Sequence, residues 1–161
     1  MEPEDLDMLY KVENDPAVWN IGTTSVPYSR YLLHDYIANT TNDIYADGQV
    51  RMIIEKADHQ AVGIVDIVNF NPAHNRAELS IVIRNEFRKQ GYATSAIKEV
   101  LSYALGILHL HQLYAIVEKD NTVSHKLFKS LGFDTTTILK DWLYDGREYH
   151  DVWIMQRTLT Y

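Results

Sequence analysis

The chain has 161 residues, 46% hydrophobic and 23% charged, the profile of one soluble globular domain (residues 1–161) with room for a proper core. No apolar run approaches the roughly 20 residues of a bilayer span, the acidic opening "MEPEDLDMLY" is neither signal nor transit peptide, and the lack of cysteine excludes disulfides, thiolate nucleophiles and thiolate zinc sites. A net charge of -7 argues against a general nucleic-acid binder; it would favour a cationic substrate, although plain solubility explains the total as well, and a cytoplasmic location fits these features.

"PEDLDMLYKVEN" predicts a first helix, with acids in its first turn and Leu6, Leu9, Tyr10 and Val12 at helical spacing. "SRYLLHDYIANT" predicts a second, capped by Ser29, with Tyr31, Leu32, Leu33, Tyr36 and Ile37 as its apolar face. Between them "DPAVWNIGTTSVPY" is a loop rich in turn residues and aromatics. "VRMIIEKA" and "AVGIVDIVNF" predict a hairpin across Asp58-His59-Gln60, and "RAELSIVI" a third strand after the turn "NPAHN". Apolar residues from Ala93 to Leu108 at three-to-four spacing predict a long helix from about Gly91 to about His109. "QLYAIVE" predicts a strand, and "NTVSHKLFKSLGF" a short helix with Asn121 as cap and Gly132 at its end. "DTTTILKDWLY" and "REYHDVWIMQRTL" predict a hairpin over a type I′ turn at Asp145-Gly146. The order is a mixed α/β sheet with about four helices. Its first half is antiparallel, and a parallel right-handed crossover joins the third strand to "QLYAIVE".

Chemistry concentrates in "RKQGYA", Arg88 to Ala93. Gly91 permits a tight turn after a strand. The helix that starts there presents unpaired N–H groups and the positive end of its dipole, a natural place for phosphate. Arg88 and Lys89 add positive charge, and small Ala93 permits close approach. A solvated turn with a glycine for geometry explains the same residues equally well. Neither G-x-x-x-x-G-K-[ST] nor G-x-G-x-x-G is present. The histidines show no recognised metal-ligand spacing.

With Arg88, Gly91 and Ala93 in place, the stretch resembles the Arg/Gln-x-x-Gly-x-Gly/Ala signature of the GNAT N-acetyltransferase superfamily. The preceding strand, the long helix, "LYAIVEKDN" and "SHKLFKSLGF" are similar to the family in order and spacing, and "HNRAELSIVI" resembles the branch of diamine/spermidine and ribosomal-protein-alanine acetyltransferases. The resemblance implies a twisted mixed sheet whose two central parallel strands splay apart around acetyl-CoA. It implies that the backbone of Ile81, Val82 and Ile83 pairs with the pantetheine arm. Residues Arg88, Lys89, Gln90, Gly91, Tyr92, Ala93 and Thr94 would hold the pyrophosphate. Asn121 would bond to the pantetheine arm, with Ser124 facing the cofactor; a helix cap explains Asn121 equally well. Lys126 or Lys129 would meet the adenosine phosphate, although both also suit plain solvated positions.

The implied activity is acetyl transfer from acetyl-CoA to a primary amine by direct attack in a ternary complex, with a small-molecule amine or a protein N-terminal amine as acceptor. An ammonium must first lose a proton to a general base. Glu78, on the central strand, is the candidate, against the alternative of a surface glutamate paired with Arg76; Glu118 is a weaker one. Trp19, Tyr28 and Tyr31, with Trp142, would wall the acceptor site, with Asp35, Asp43 and Asp141 adding charge. The resemblance also implies a possible homodimer through the last hairpin.

Three features depart from the family pattern. The first strand that usually precedes the first helix is absent. The polyamine branch carries a pair of acids in the first loop region, and "NIGTTSVPYS" has none. The family's tyrosine before "LGF", which protonates the departing thiolate, is Phe128 here. Phe128 then packs beside the thioester, and water, Ser124 or a nearby tyrosine supplies the proton. The rival expectation is a CoA-binding regulatory module with little turnover.

Overall fold

The computed structural model describes residues 1–16 and 26–161. A 3-10 turn at Pro3–Asp5 leads into α1 (Leu6–Glu13), followed by α2 (Arg30–Asn39) and the short α3 (Ile44–Asp47). Then come β1 (Val50–Glu55), β2 (Ala61–Asn71), β3 (Arg76–Ile83), a 3-10 turn at Asn85–Phe87, and α4 (Tyr92–Gly106). β4 (Gln112–Glu118), α5 (Thr122–Ser130), β5 (Asp134–Tyr144) and β6 (Tyr149–Thr158) complete the chain. One six-stranded sheet runs in the order β1-β2-β3-β4-β6-β5, with β3 and β4 parallel and every other neighbouring pair antiparallel.

Two apolar clusters sit on opposite faces, as strand alternation dictates. Ala77 and Leu79 of β3, Leu113, Ala115 and Val117 of β4, and Val65 and Ile67 of β2 pack with Ile97, Val100 and Ala104 of α4 and with Phe128 of α5. Ile64, one residue out of phase, faces the other side and packs with Met8 and Leu9 of α1 and Leu33 of α2. α1 is also clamped to the sheet by charge. The Arg51 guanidinium binds both carboxylate oxygens of Asp66 at 2.7 and 3.1 Å and Oε1 of Glu13 at 2.5 Å. Burial alone would lower the Arg51 pKa; Asp66 and then Glu13 outweigh it and hold it raised.

The expected order of long elements holds, and four details differ. α3 was not expected; Asp43 caps it by accepting from the Tyr45 N–H at 2.9 Å, and Gly48 ends it at φ 68. The long helix stops at Gly106, short of the expected His109. In α2, Leu33 is buried and Tyr36 and Ile37 pack behind it, but Tyr31 and Leu32 are exposed at 81% and 50%. The last hairpin turns one residue later than expected: the Asp145 N–H donates to the Glu148 carbonyl at 3.2 Å, and positive φ falls on Gly146 (95) but not on Asp145. Glycine at the first central position suits a type II′ loop, and the Asp145 carboxylate braces it by accepting from the N–H groups of Arg147 and Glu148.

Candidate functional site

β3 and β4 pair over only three rungs, Arg76–Gln112, Ala77–Leu113 and Glu78–Tyr114. Beyond Glu78, β3 follows β2 as far as Ile83 opposite Gly63, while β4 follows β6 as far as Glu118 opposite Val152. The sheet therefore forks at its centre, and each strand keeps one unpaired edge. The Arg84 N–H donates to the Val62 carbonyl at 2.9 Å, which sets the alternation of the β2–β3 ladder. Val82 turns its backbone to Ile64 of β2, whereas Ile81 and Ile83 turn theirs into the fork. Of the expected three-residue backbone contact, Val82 is thus committed to the sheet. Glycine at position 63 is what lets the strands close this tightly; a Cβ there would lie 2.4 Å from the Val82 carbonyl oxygen.

At the open end of β3 the chain passes through the Asn85–Phe87 turn into the start of α4. Lys89 (φ 60) and Gly91 (φ 87) alternate in sign with Gln90, the backbone pattern that points successive N–H groups into one concavity. Among the described residues, nothing accepts a hydrogen bond from the N–H groups of residues 89–94; the first helical bond runs from Ser95 to the Gly91 carbonyl at 3.1 Å. A Cβ at Gly91 would meet nothing within 4 Å, so glycine is required there by φ and the space beside it is open. The Arg88 Nε donates to the Ile83 carbonyl at 3.0 Å, and Gln90 Nε2 donates to the Glu86 carbonyl at 3.2 Å. Arg88 thus ties the loop to the end of β3, and Gln90 ties it to the Asn85–Phe87 turn. Lys89 is exposed, while Tyr92, Ala93 and Thr94 are half-buried in the first helical turn. An open strand edge leading to a cluster of free N–H groups fits an extended ligand with an anionic end, as acetyl-CoA is.

α5 approaches the other branch. The Asn121 side-chain oxygen accepts from the Ser124 N–H at 3.1 Å, the capping alternative foreseen for it. Ser124 is half-buried, and Lys126 and Lys129 are exposed. Phe128 is only 4% exposed, its ring 5.1 Å from that of Phe133 in an edge arrangement, so it is a core residue.

On the sheet face opposite α4, the last rung of the parallel ladder carries Glu78 and Tyr114 side by side. Glu78 is half-buried, and its hydrogen-bond partner is Asn69 Nδ2 at 2.8 Å, not Arg76. Asn69 sits at φ 51 where the β2–β3 register slips between Val68 and Asn71, a bulge that re-aims its amide across the sheet. Beside it, the Tyr114 hydroxyl has its pKa raised above 10.0 chiefly by burial and then by the Glu78 charge, against lesser opposing effects of Arg76 and the Asn69 amide. Sequence reasoning missed both residues. "IVNFN" reads as plain strand, and only the asparagine's tolerance of positive φ hinted at a bulge.

Among the described residues, the expected acceptor walls do not converge. Trp19 lies outside the described residues. Tyr28 is half-buried, its backbone held at both N–H and carbonyl by the Asn14 amide (2.8 and 3.0 Å). Tyr31 projects into solvent on α2, and Trp142, 54% exposed, sits on β5 at the far edge of the sheet. Asp43 caps α3, Asp35 accepts from Asn39 Nδ2, and Asp141 lies on β5. A cleft of about 160 Å³ between α1 and the end of β3 includes Lys11, Asp15, Val82, Ile83, Arg84 and Arg88 in its lining. A larger hollow of about 260 Å³ lies away from the fork, where Asp35, Tyr36 and Asp47 face Arg51. Glu118 is engaged with His150, whose Nδ1 is 3.3 Å from its Oε1. Asp145, Glu148 and His150 bring ligand-type atoms within 4.8 Å of one another, an arrangement the turn N–H groups and the His150–Asp145 bond explain without an ion.

Residues 1–134 match the family model described as an acetyltransferase (GNAT) domain. Spermidine N(1)-acetyltransferase of Escherichia coli K12 is 28% identical over 155 residues, covering 94% of this chain and 79% of that protein. The Vibrio cholerae spermidine N(1)-acetyltransferase is 26% identical over 153 residues, covering 94% and 86%. A crystal structure of the Vibrio cholerae spermidine N-acetyltransferase in complex with CoA and spermine superposes with a TM-score of 0.87 at 26% identity, covering 99% of this chain and 92% of that one. Among the described residues no helix is long and apolar enough to cross a membrane. The forked sheet, the free N–H cluster at the start of α4 and these matches agree: the chain belongs to the GNAT acetyltransferase family and transfers an acetyl group from acetyl-CoA to an amine nitrogen.

Proposed function

We propose that the acceptor is a polyamine or related small diamine, and that the whole chain, residues 1–161, works as one acetyltransferase unit. The observation that carries this is the similarity over 94% of the chain to two spermidine acetyltransferases. A net charge of -7 adds a field that attracts cations. A cytoplasmic location goes with the same proposal.

Acetyl-CoA supplies an activated acyl group; this chain's residues bind and orient it. Ile81 and Ile83 offer strand-type hydrogen bonds to an extended amide arm. The N–H groups of residues 89–94 and the α4 dipole hold the pyrophosphate, with Lys89 adding charge. Asn121 Nδ2 remains open toward the arm. Glu78 accepts the proton that the amine must lose, and an N–H of β3 in the fork steadies the developing oxyanion. The amine enters from the sheet face of α1 and α2, since Glu78 points that way.

The test is thiol release from acetyl-CoA with spermidine, spermine, short diamines, amino sugars and N-terminal peptides. Polyamines should give the highest kcat/KM. A peptide N-terminus preferred over every polyamine would overturn the acceptor class.

We further propose a homodimer through β5. This edge strand is exposed along nearly its whole length, with Ile138, Trp142 and Tyr144 uncovered and Tyr149 across the hairpin. Light scattering on the full chain, with Trp142→Lys as control, decides it: a monomeric wild-type chain overturns the proposal.

A further inference from the structure

We propose that Tyr114 is the acid that protonates the departing thiolate, working across the fork from Glu78. The inference rests on the assignment of Glu78 as base. A thiolate leaves more readily when a proton meets it, and a phenol near pKa 10 is a closer match to a thiol near 8.5 than any aliphatic hydroxyl. Phe128 has no proton to give and is sealed in the core against Phe133.

The geometry points to Tyr114 instead. Glu78 and Tyr114 form the last rung before the strands part, so each stands on one wall of the fork at its apex. Neighbouring strands lie about 4.8 Å apart, which brings both side chains to a ligand wedged between them. The Asn69 bulge reaches over to Glu78. Its amide donates to the Glu78 carboxylate at 2.8 Å, and among the described residues none accepts a hydrogen bond from the Tyr114 hydroxyl. That hydrogen is therefore free to meet a ligand held in the fork. Burial and the neighbouring carboxylate both disfavour the phenolate, which keeps the proton on Tyr114 at neutral pH.

The step balances as follows. The amine lone pair forms the new C–N bond, and its proton passes to Glu78. The C–S bond breaks with its electron pair on sulfur, which takes the proton of Tyr114 Oη. The phenolate then recovers a proton from the protonated Glu78, leaving the amide, free thiol and the resting side chains. Base and acid on one face thus exchange the proton that the two half-steps release and consume.

Tyr114→Phe tests this, measured with the best acceptor of the panel. Expected is a fall in kcat of about 100-fold, with unchanged CoA affinity by calorimetry and an unchanged thermal midpoint. The discriminating arm replaces acetyl-CoA by S-(4-nitrophenyl) thioacetate, whose thiolate leaves without help. There Tyr114→Phe should keep most of the wild-type kcat/KM. An equal loss with both donors would assign Tyr114 a structural role and overturn the proposal, as would wild-type kcat with acetyl-CoA. Glu78→Gln is run in parallel. Loss in Glu78→Gln alone removes the acid and leaves the base; loss in Tyr114→Phe alone does the reverse.

Discussion

The β3 side of the fork and the acceptor face are built from different materials. In the proposed cofactor site, from Ile81 to Thr94, the binding groups are main-chain N–H and carbonyl groups, and the Arg88 and Gln90 side chains bond to nearby carbonyls of the chain itself. On the opposite face the proposed catalytic groups are side chains drawn from distant segments, Glu78 from β3 and Tyr114 from β4, with Asn69 from β2 bonded to Glu78. A site made of backbone tolerates much sequence change, provided φ and strand pairing survive. A site made of side chains changes with single substitutions. Substrate choice in such an enzyme can drift while the cofactor half stays fixed.

The sharpest way to break this contrast is Glu78→Gln. Loss of the base should lower kcat by about 100-fold or more, while CoA affinity, which belongs to the backbone half, stays the same in calorimetry. A parallel loss of CoA binding would mean that the two halves are not separable.

Next in size is Phe128→Tyr, which restores a phenol on α5. Because Phe128 is 4% exposed and packed on Phe133, the added hydroxyl lacks a partner and should cost about 1–3 kcal/mol of stability in denaturant unfolding. It should give no gain in kcat. A faster enzyme would show that α5 still addresses the sulfur, and that the acid does not lie on β4.

Gly91→Val comes third. A β-branched residue at φ 87 is strained by about 1–2 kcal/mol, and its side chain enters the space beside the free N–H groups. Calorimetry should show CoA affinity reduced roughly tenfold or more, with kcat at saturation much less affected. Unchanged affinity would remove the N–H cluster from the cofactor half.

The same contrast explains what the sequence discloses. "RKQGYA" is legible because glycine after a strand and before a helix has few physical interpretations, and β3 and β4 are legible from their apolar alternation. The fork between them is not, since it arises from β3 following β2 while β4 follows β6. Asn69 escapes notice because a bulge looks like ordinary strand in one dimension. Tyr31 and Trp142 were expected near one pocket, but they sit on α2 and on the opposite sheet edge, and no local pattern encodes that separation. The α2 face was misjudged for a related reason: Tyr36, not Tyr31, packs toward Arg51, which is fixed by Glu13 and Asp66.

The smallest expected effect concerns the tip of β4, where the acceptor face meets the last hairpin. His150 Nε2 lies 2.8 Å from Asp145 Oδ2, and Nδ1 lies 3.3 Å from Glu118 Oε1. The hydrogen bond to Asp145 raises the His150 pKa; burial is the next largest effect and opposes it, and the charges of Asp145, Glu118 and Glu148 add to the rise. Asp145 is held down to about 2, first by the Glu148 N–H and then by His150 and the Arg147 N–H. The histidine's folded value exceeds its unfolded one, so its contribution is complete below about pH 6.5 and fades as pH rises through the raised value. The carboxylate's contribution runs oppositely: complete above about pH 4, it is lost as pH falls toward 2. Thermal midpoints should therefore fall between pH 6 and pH 8.5 more in the wild-type chain than in His150→Gln, whose amide bonds but does not titrate. Since other histidines titrate in both proteins, the difference between the two chains is the quantity to measure. A difference independent of pH would mean that the bridge carries no charge, and that the hairpin is pinned to β4 by packing alone.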